Sequence, residues 1–338
     1  MDQDVQKFKE LIDSSQKIVI IQADNPDGDS LGSSIALEQI LGALGKDTYI
    51  YCAVNIPDYL KYLTGWSRVF NVLPSSYDLS IIVDTSSISL LNKLEGVELA
   101  TLKTKPCVVL DHHDVENSID FASLVINRPV VATGELIFNI ANELNWELNL
   151  EASEVIATSI LSDSLGLMSS ATTASSIRVM ADLVEAGVNL SAIDAKRRET
   201  YRKSPELTRY KGILLERIEN FLDNQLAVIV IPWEEIEKYS PLYNPSMLVI
   251  EDMRLIENNK IAVALKVYAD GKITGKLRAN YGSPIANKIA EHFGGGGHKY
   301  ASGFKTTDYI SVDELKNELV KISSESLQNL ETNENEAV

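Results

Sequence analysis

Five short apolar runs, KIVIIQA, DTYIYCA, LSIIVD, PCVVLD and FASLVIN, recur between residues 17 and 127, and the stretches between them carry helical spacing. Strand-like runs that alternate with helical ones specify an α/β fold with a mainly parallel sheet flanked by helices. Four of the runs stop at, or just before, an acidic or polar cluster. Those clusters then sit at the carboxyl edge of the sheet, where open α/β folds bind ligands.

With 338 residues the chain is too long for one small core and suits two domains. The first is expected over 1–187, closing with the helical stretch ATTASSIRVMADLVEAG and its terminal glycine. A polar stretch containing AKRRETYRKSPE follows, and a linker is expected over 188–204. After a helix near 205–220, strand patterns return in QLAVIVI, KIAVALKVY and KITGKLRA, the last two joined as a hairpin at Ala269-Asp270-Gly271. A smaller mixed-sheet α/β domain is therefore expected over 205–325. The terminal stretch 326–338, ending in ETNENEAV, is acidic and poor in apolar residues, and is expected to be a disordered tail.

Lys and Arg total 31 against 48 Asp and Glu, a net charge of −17. That balance repels a long polyanion, so duplex DNA is not expected as a partner. A short anionic substrate stays open, because divalent cations in a site reverse the local field. Cys52 and Cys107 show no metal-ligand spacing, and no apolar signal core or membrane-spanning run is present. A reducing cytoplasm with two buried, inert thiols is the expectation, with no membrane partner.

Candidate chemistry lies at the ends of the runs. Asp27 and Asp29, in DNPDGDSLGS after the first run, suit a hard divalent cation but would equally cap a helix. Asp84 closes the third run, and a lone Asp there is usually a cap. Asp111-His112-His113-Asp114 sets four ionisable residues directly after a buried strand, which is harder to explain as a solvated turn. Imidazole mixed with carboxylates suits a borderline metal such as Mn²⁺, and a neighbouring Asp can fix the tautomer. Asp163 ends an apolar helical stretch, where a polar surface residue is common. Near the C-terminus GGGGHKYASG, residues 294–303, lies between a helix and a strand and offers unhindered backbone N–H groups to an anion, beside His298 and Lys299. Arg278 ends a strand and could pair bidentately with a phosphate.

Taken together, DNPDGDSLGS, VDTS, DHH, SDS and GGGGHKYASG resemble the DHH/DHHA1 phosphoesterases, in the branch of nano-RNases, phosphoadenosine-phosphate phosphatases and cyclic-dinucleotide phosphodiesterases. The resemblance spans nearly the whole chain. It implies two divalent cations, Mn²⁺ first and Mg²⁺ as the alternative, held by Asp27, Asp29, Asp84, His112 and Asp163 with Asp84 bridging. His113 would lie beside the scissile phosphate, and Asp111 would support the ligands from behind. Arg278 and the loop of Gly295, Gly296, Gly297 and His298 would bind the terminal phosphate of the substrate. The implied reaction is hydrolysis of short oligonucleotides, linear dinucleotides or nucleotide bisphosphates by a metal-bridging hydroxide, with a homodimer compatible. Cyclic dinucleotides are the alternative substrates. One position departs from the family pattern: Ala23 stands where a His ligand is usual. That makes a nucleotide-binding protein with impaired catalysis a further alternative. Asp24 is the neighbouring oxygen donor, but alternation along an extended segment points it away from the face of Ala23.

Overall fold

The computed structural model describes residues 2–94, 97–309 and 311–336. It divides into two compact units, 1–202 and 203–338.

The first unit is built on a six-stranded sheet of β1 (Lys17–Ile21), β2 (Asp47–Tyr51), β3 (Val69–Phe70), β4 (Leu79–Val83), β5 (Cys107–Asp111) and β6 (Leu124–Asn127), in spatial order β3-β2-β1-β4-β5-β6. All its pairings are parallel. Around it run α1 (Gln3–Ser14), α2 (Gly28–Ala43), α3 (Val97–Leu102), α4 (Thr133–Leu144), α5 (Leu150–Asp163), α6 (Ala174–Glu185) and α7 (Leu190–Thr200). The central strands read as continuous apolar runs because both faces are covered. Ile18, Ile20, Ile81 and Val108 pack with α2, α4 and α5, whereas Val19, Ile21, Ile82 and Val109 pack with Leu91, Leu94 and Leu102. Strand order reverses between β1 and β4, the switch point at which open α/β sheets leave a ligand crevice.

The second unit holds α8 (Pro205–Glu216), β7 (Glu219–Phe221), β8 (Leu226–Ile231), α9 (Trp233–Tyr239), α10 (Pro245–Arg254), β9 (Ile261–Val267), β10 (Ile273–Ala279), α11 (Ala286–His292), β11 (Gly296–His298), β12 (Ala301–Thr306) and α12 (Val312–Glu336). Its strands form a mixed sheet in the order β11-β12-β10-β9-β8-β7, with only β8 and β9 parallel. One face packs under α11 and α12 through Val263, Leu265 and Leu277, and the other under α8 and α10 through Ile229, Ala262 and Ala264. The β9–β10 hairpin turns at Gly271, whose φ of +81° suits a residue without Cβ.

Two expectations about the connections differ from the fold. Most of the stretch expected as a linker, 188–204, is α7, whose Ile193 is buried in the core of the first unit while its polar residues face outward. Residues 326–336, expected as a disordered tail, continue α12, because Leu327 and Leu330 extend the apolar stripe of Leu315 and Leu319 onto the sheet. Ala337 and Val338 lie outside the described residues. No helix among the described residues is long and apolar enough to cross a membrane. Cys52 and Cys107 are buried and free, and burial pushes the Cys107 thiol up to about 11.

Candidate active site

Close packing of α2 against α5 brings together side chains far apart in sequence. A Cβ on Gly32 would lie 2.6 Å from the Val155 carbonyl, so the two backbones can meet only because that position has none. Gly134, at the start of α4, leaves room for Ser159 in the same way. Between these helices lies Asp29, whose carboxylate is completely buried. Its Oδ2 accepts from the Thr133 N–H at 2.7 Å, and its Oδ1 accepts from Gly134 N–H, Ser33 Oγ and Ser159 Oγ at 3.2, 2.9 and 2.6 Å. The N-terminus of α4 thus points two amides at one anion.

Three further segments converge on it. Asp84 follows β4 with φ +62°, a left-handed conformation that costs a non-glycine residue roughly 1–3 kcal/mol and that Asp tolerates better than most. It accepts from Thr133 Oγ1 at 3.1 Å. His112 follows β5 and donates from Nδ1 to the Val130 carbonyl at 3.2 Å, which turns Nε2 toward the carboxylates. That Nε2 is buried with no hydrogen-bond partner, yet lies 3.4 Å from Asp29 Oδ2, 3.5 Å from Asp84 Oδ1 and 3.3 Å from Asp163 Oδ2. Burial alone would depress the His112 imidazole, but Asp163, Asp84 and Asp29 push it up to about 11. Burial, reinforced by Asp163, raises the Asp29 carboxyl, and burial followed by Asp29 raises Asp84 well above the carboxylate range. The cluster gathers more negative charge than a buried site holds without a cation or protons. Among the described residues, two groupings have ligand atoms close enough to share an ion: Asp29, His112 and Asp163, and Asp84, His112 and His113. Mixed carboxylate and imidazole donors, with the buried His112 Nε2 unpartnered, fit a divalent cation.

His113 is half exposed and donates from Nδ1 to Asp111 Oδ1 at 2.8 Å, a bond that raises its pKa. Asp111 is fully buried. Burial would raise its carboxyl, but the hydrogen bond from His113, with the Ser86 hydroxyl nearby, holds it below the ordinary range. Asp27 is exposed and caps α2, its Oδ1 accepting from the Asp29 and Ser30 amides at 3.0 Å each. Its charge still reaches Asp84. Asp24 turns elsewhere, with Oδ2 accepting from the Lys93 N–H at 2.9 Å, and belongs to neither grouping. Ala23 is buried and offers no donor side chain.

After Asp163 the chain runs through Leu165, Gly166 and Leu167, all left-handed at φ +52°, +72° and +69°. Two leucines in that region store strain beside the cluster, and Leu165 stands 75 % exposed.

In the second unit the glycine run is more ordered than an anion-wrapping loop. Gly294 and Gly295 give their N–H groups to the Glu291 and Ala290 carbonyls at 3.0 and 2.8 Å, closing α11 with Gly294 left-handed. Gly296, Gly297 and His298 then form β11, an exposed edge strand paired with β12. Alternation on β10 places Arg278 on one face with Lys276, and register adds Lys266 from β9. None of the three makes an ion pair among the described residues, and burial lowers the pKa of each. Arg278, Lys276 and glycines 294–296 share one open cavity of about 690 Å³.

Sequence reasoning did not single out Thr133, Ser159, Lys266 or Lys276. The helix-start pattern Ala132-Thr133-Gly134-Glu135 and the alternation of Lys276 with Arg278 were the available signals.

A sheet whose carboxyl edge gathers carboxylates and imidazole, joined to a second unit bearing unpaired cations, defines a class of metal-assisted phosphoester hydrolases. Residues 17–172 match the DHH family, N-terminal domain, and residues 245–327 match the DHHA1 domain. The chain therefore belongs to the DHH/DHHA1 phosphoesterase family, and it is a phosphoester hydrolase. It is 25% identical over 307 residues to the bifunctional oligoribonuclease and PAP phosphatase NrnA of Thermus thermophilus, covering 90% of this chain and 88% of that one. It is 26% identical to the A-adding tRNA nucleotidyltransferase of Aquifex aeolicus over 90% of this chain, which spans only 34% of that longer protein. An exopolyphosphatase-related protein from Bacteroides fragilis shares the fold, with TM-score 0.78 and 22% identity over 96% of both chains.

Proposed function

We propose that the chain hydrolyses phosphodiester or phosphomonoester bonds in short oligonucleotides, linear dinucleotides or nucleotide bisphosphates. The observation that carries this reading is the buried, unpartnered His112 Nε2 with three carboxylate oxygens 3.3–3.5 Å away, a donor set awaiting a cation. The relatives named for oligoribonuclease and PAP phosphatase activity supply the substrate class.

Asp29, Asp84, His112 and Asp163 would hold one divalent cation firmly, Mn²⁺ in preference to Mg²⁺ because of the imidazole. A second cation would draw on Asp27 and Asp84, with nothing from Ala23 and with Asp24, whose Oδ2 is held by the Lys93 N–H, outside both groupings, so it would bind more weakly. Cations there supply Lewis acidity and lower the pKa of water. The chain's own groups do the rest. Asp111 orients His113, whose exposed Nε2 can donate to a phosphate or leaving oxygen while the carboxylate sustains its positive charge. Thr133 and the α4 amides fix Asp29 and Asp84 in place. Arg278, Lys276 and the β11 edge, with His298, would receive a terminal phosphate.

The test is mononucleotide release from labelled RNA dinucleotides through pentanucleotides with Mn²⁺, Mg²⁺ or EDTA, alongside a nucleotide bisphosphate, cyclic dinucleotides and pyrophosphate. EDTA-sensitive cleavage of the short linear substrates is expected. Turnover of cyclic dinucleotides alone would move the assignment to a cyclic-dinucleotide phosphodiesterase. Stoichiometric nucleotide binding without any turnover would replace the hydrolase reading by a binding one.

A further inference from the structure

Phosphate chemistry does not account for a cavity of about 470 Å³ in the first unit, part of whose wall is Asp27 and Gly28. Its size falls within the range of small-molecule sites. The rest of its lining is mainly aromatic and aliphatic: Tyr59, Tyr62 and Tyr201 face it with Leu165, Ile193 and the cationic Arg197. A hydrated, charged phosphate gains nothing from such walls. Tyr59 is 45 % exposed, Tyr201 51 % and Leu165 75 %, so large apolar surfaces stand open beside the ligand atoms of the acidic cluster. Apolar exposure gathered at one place marks a binding surface. Leu165 stands in the left-handed run that follows Asp163, at φ +52°, while Leu167 of the same run packs against the core. The stretch that supplies Ile193, Arg197 and Tyr201 is α7 and its C-cap, so the polar segment after the glycine-terminated helix contributes a wall rather than a free linker.

We propose that this cavity is a nucleobase pocket, in which the base of the nucleotide whose phosphate meets the Asp29–Asp84–His112 cluster stacks among Tyr59, Tyr62 and Tyr201. The proposal rests on the hydrolase reading for the position of that phosphate. Recognition is by ring faces: of the two carboxylates in the lining, Asp27 faces the acidic cluster and Asp194 is already occupied by Arg197 at 2.9 Å and Arg198 at 2.6 Å, so Asp194 reads no base edge. Stacking is tolerant of base identity. The pocket would therefore favour nucleotides over pyrophosphate or polyphosphate without demanding one base.

The test is calorimetric binding of adenosine 5′-monophosphate and of ribose 5-phosphate to the full chain in Mn²⁺, which needs no turnover. Wild type is expected to bind the nucleotide about 5- to 100-fold more tightly than the sugar phosphate, the range that base–aromatic stacking supplies. Tyr59→Ala should close most of that gap and leave ribose 5-phosphate binding unchanged, while Tyr59→Phe keeps it. Because Tyr59 is half exposed its truncation spares the fold; Tyr62→Ala, checked by its melting curve, is the second variant. Equal binding of the two ligands by wild type, or a gap that survives both alanine variants, overturns the pocket. A Tyr59-dependent gap in a protein that hydrolyses nothing would uphold the pocket and sink only the hydrolase reading. Cleavage of dinucleotides with no gap would do the reverse.

Discussion

Replacing Asp84 by Asn is expected to stabilise the metal-free protein while removing its response to metal. Asp84 is 7 % exposed and accepts a single hydroxyl, from Thr133 at 3.1 Å. Its Oδ1 and Asp29 Oδ2 both lie within 3.5 Å of His112 Nε2, so they are at most about 7 Å apart. Two full charges at that separation repel by about 2.4 kcal/mol at an effective dielectric of ~20. Burial, then Asp29, hold the Asp84 carboxyl well above its ordinary value. A carboxyl raised on folding costs nothing while both states are protonated and destabilises the fold as pH rises above the unfolded value, so at pH 7.5 the metal-free protein carries the penalty and the amide does not. The His112 imidazolium offsets part of it, leaving an expected gain of about 1–2 kcal/mol, or ~2–8 °C in the melting of a unit this size. In Mn²⁺ the order reverses. Wild type gains about 2.7 kcal/mol at a hundred times the dissociation constant, and the variant gains much less. Calorimetric melting in EDTA and in Mn²⁺ reads both effects. The reasoning is refuted if Asp84→Asn melts below wild type in EDTA and Mn²⁺ raises both proteins equally; Asp84 would then be an ordinary strand-end cap.

Three other outcomes are expected. Because His112 is pushed up to about 11 in the metal-free cluster, a cation must displace its proton, and apparent Mn²⁺ affinity should climb ~10-fold per pH unit between pH 6.5 and 8.5 by calorimetric titration, a slope that His112→Gln flattens. Gly32→Ala drives a methyl to 2.6 Å from the Val155 carbonyl and should cost about 1–3 kcal/mol, lowering metal-dependent turnover with it, whereas Gly42→Ala on the same helix meets nothing within 4 Å and should stabilise by about 0.5–1 kcal/mol. Arg278→Ala should raise KM for short oligonucleotides about 10- to 100-fold and Lys276→Ala by less, with kcat nearly unchanged; unaltered KM in both would remove that face from substrate binding.

What the sequence made legible follows from how local each signal is. The β-rich runs of the first unit could be read because a parallel strand buried on both faces must be apolar through its middle, as IVII of β1 and CVVL of β5 are. Asp29, Asp84, His112 and Asp163 could be proposed together only through the resemblance of their motifs to the DHH/DHHA1 pattern, since taken singly each position suits a cap or a surface residue as well. Asp27 could not be resolved the same way: cap and cation donor ask for the same carboxylate after the same strand, and only coordinates place its Oδ1 on the α2 amides. The connections were misjudged for one reason. Polarity suggests a linker in 188–204 and a disordered tail in 326–336, but a helix needs only one apolar stripe, and Ile193 in α7 and Leu327 in α12 supply it. In the glycine run the departure is confined to its first two amides. Free N–H groups were inferred from missing side chains, although two of them close α11 before an anion could use them.

Most hidden of all were the residues that hold the cluster still. Thr133 gives its amide to Asp29 and its hydroxyl to Asp84, so one side chain and one peptide group fix the spacing of two carboxylates, one in the first turn of α2 and one just after β4. Ser159 bonds Asp29 and receives the Gly134 amide, tying α5 to the start of α4 at the same point. Nothing about an isolated Thr or Ser announces such a role, because these residues are indifferent to environment until a buried anion needs a donor. The demand comes from the anion: a carboxylate with no exposed surface must find its hydrogen bonds in the protein, and here it finds four. The ligand atoms are therefore locked before any cation arrives, and the repulsion this stores in the metal-free protein is the same quantity that favours taking one up.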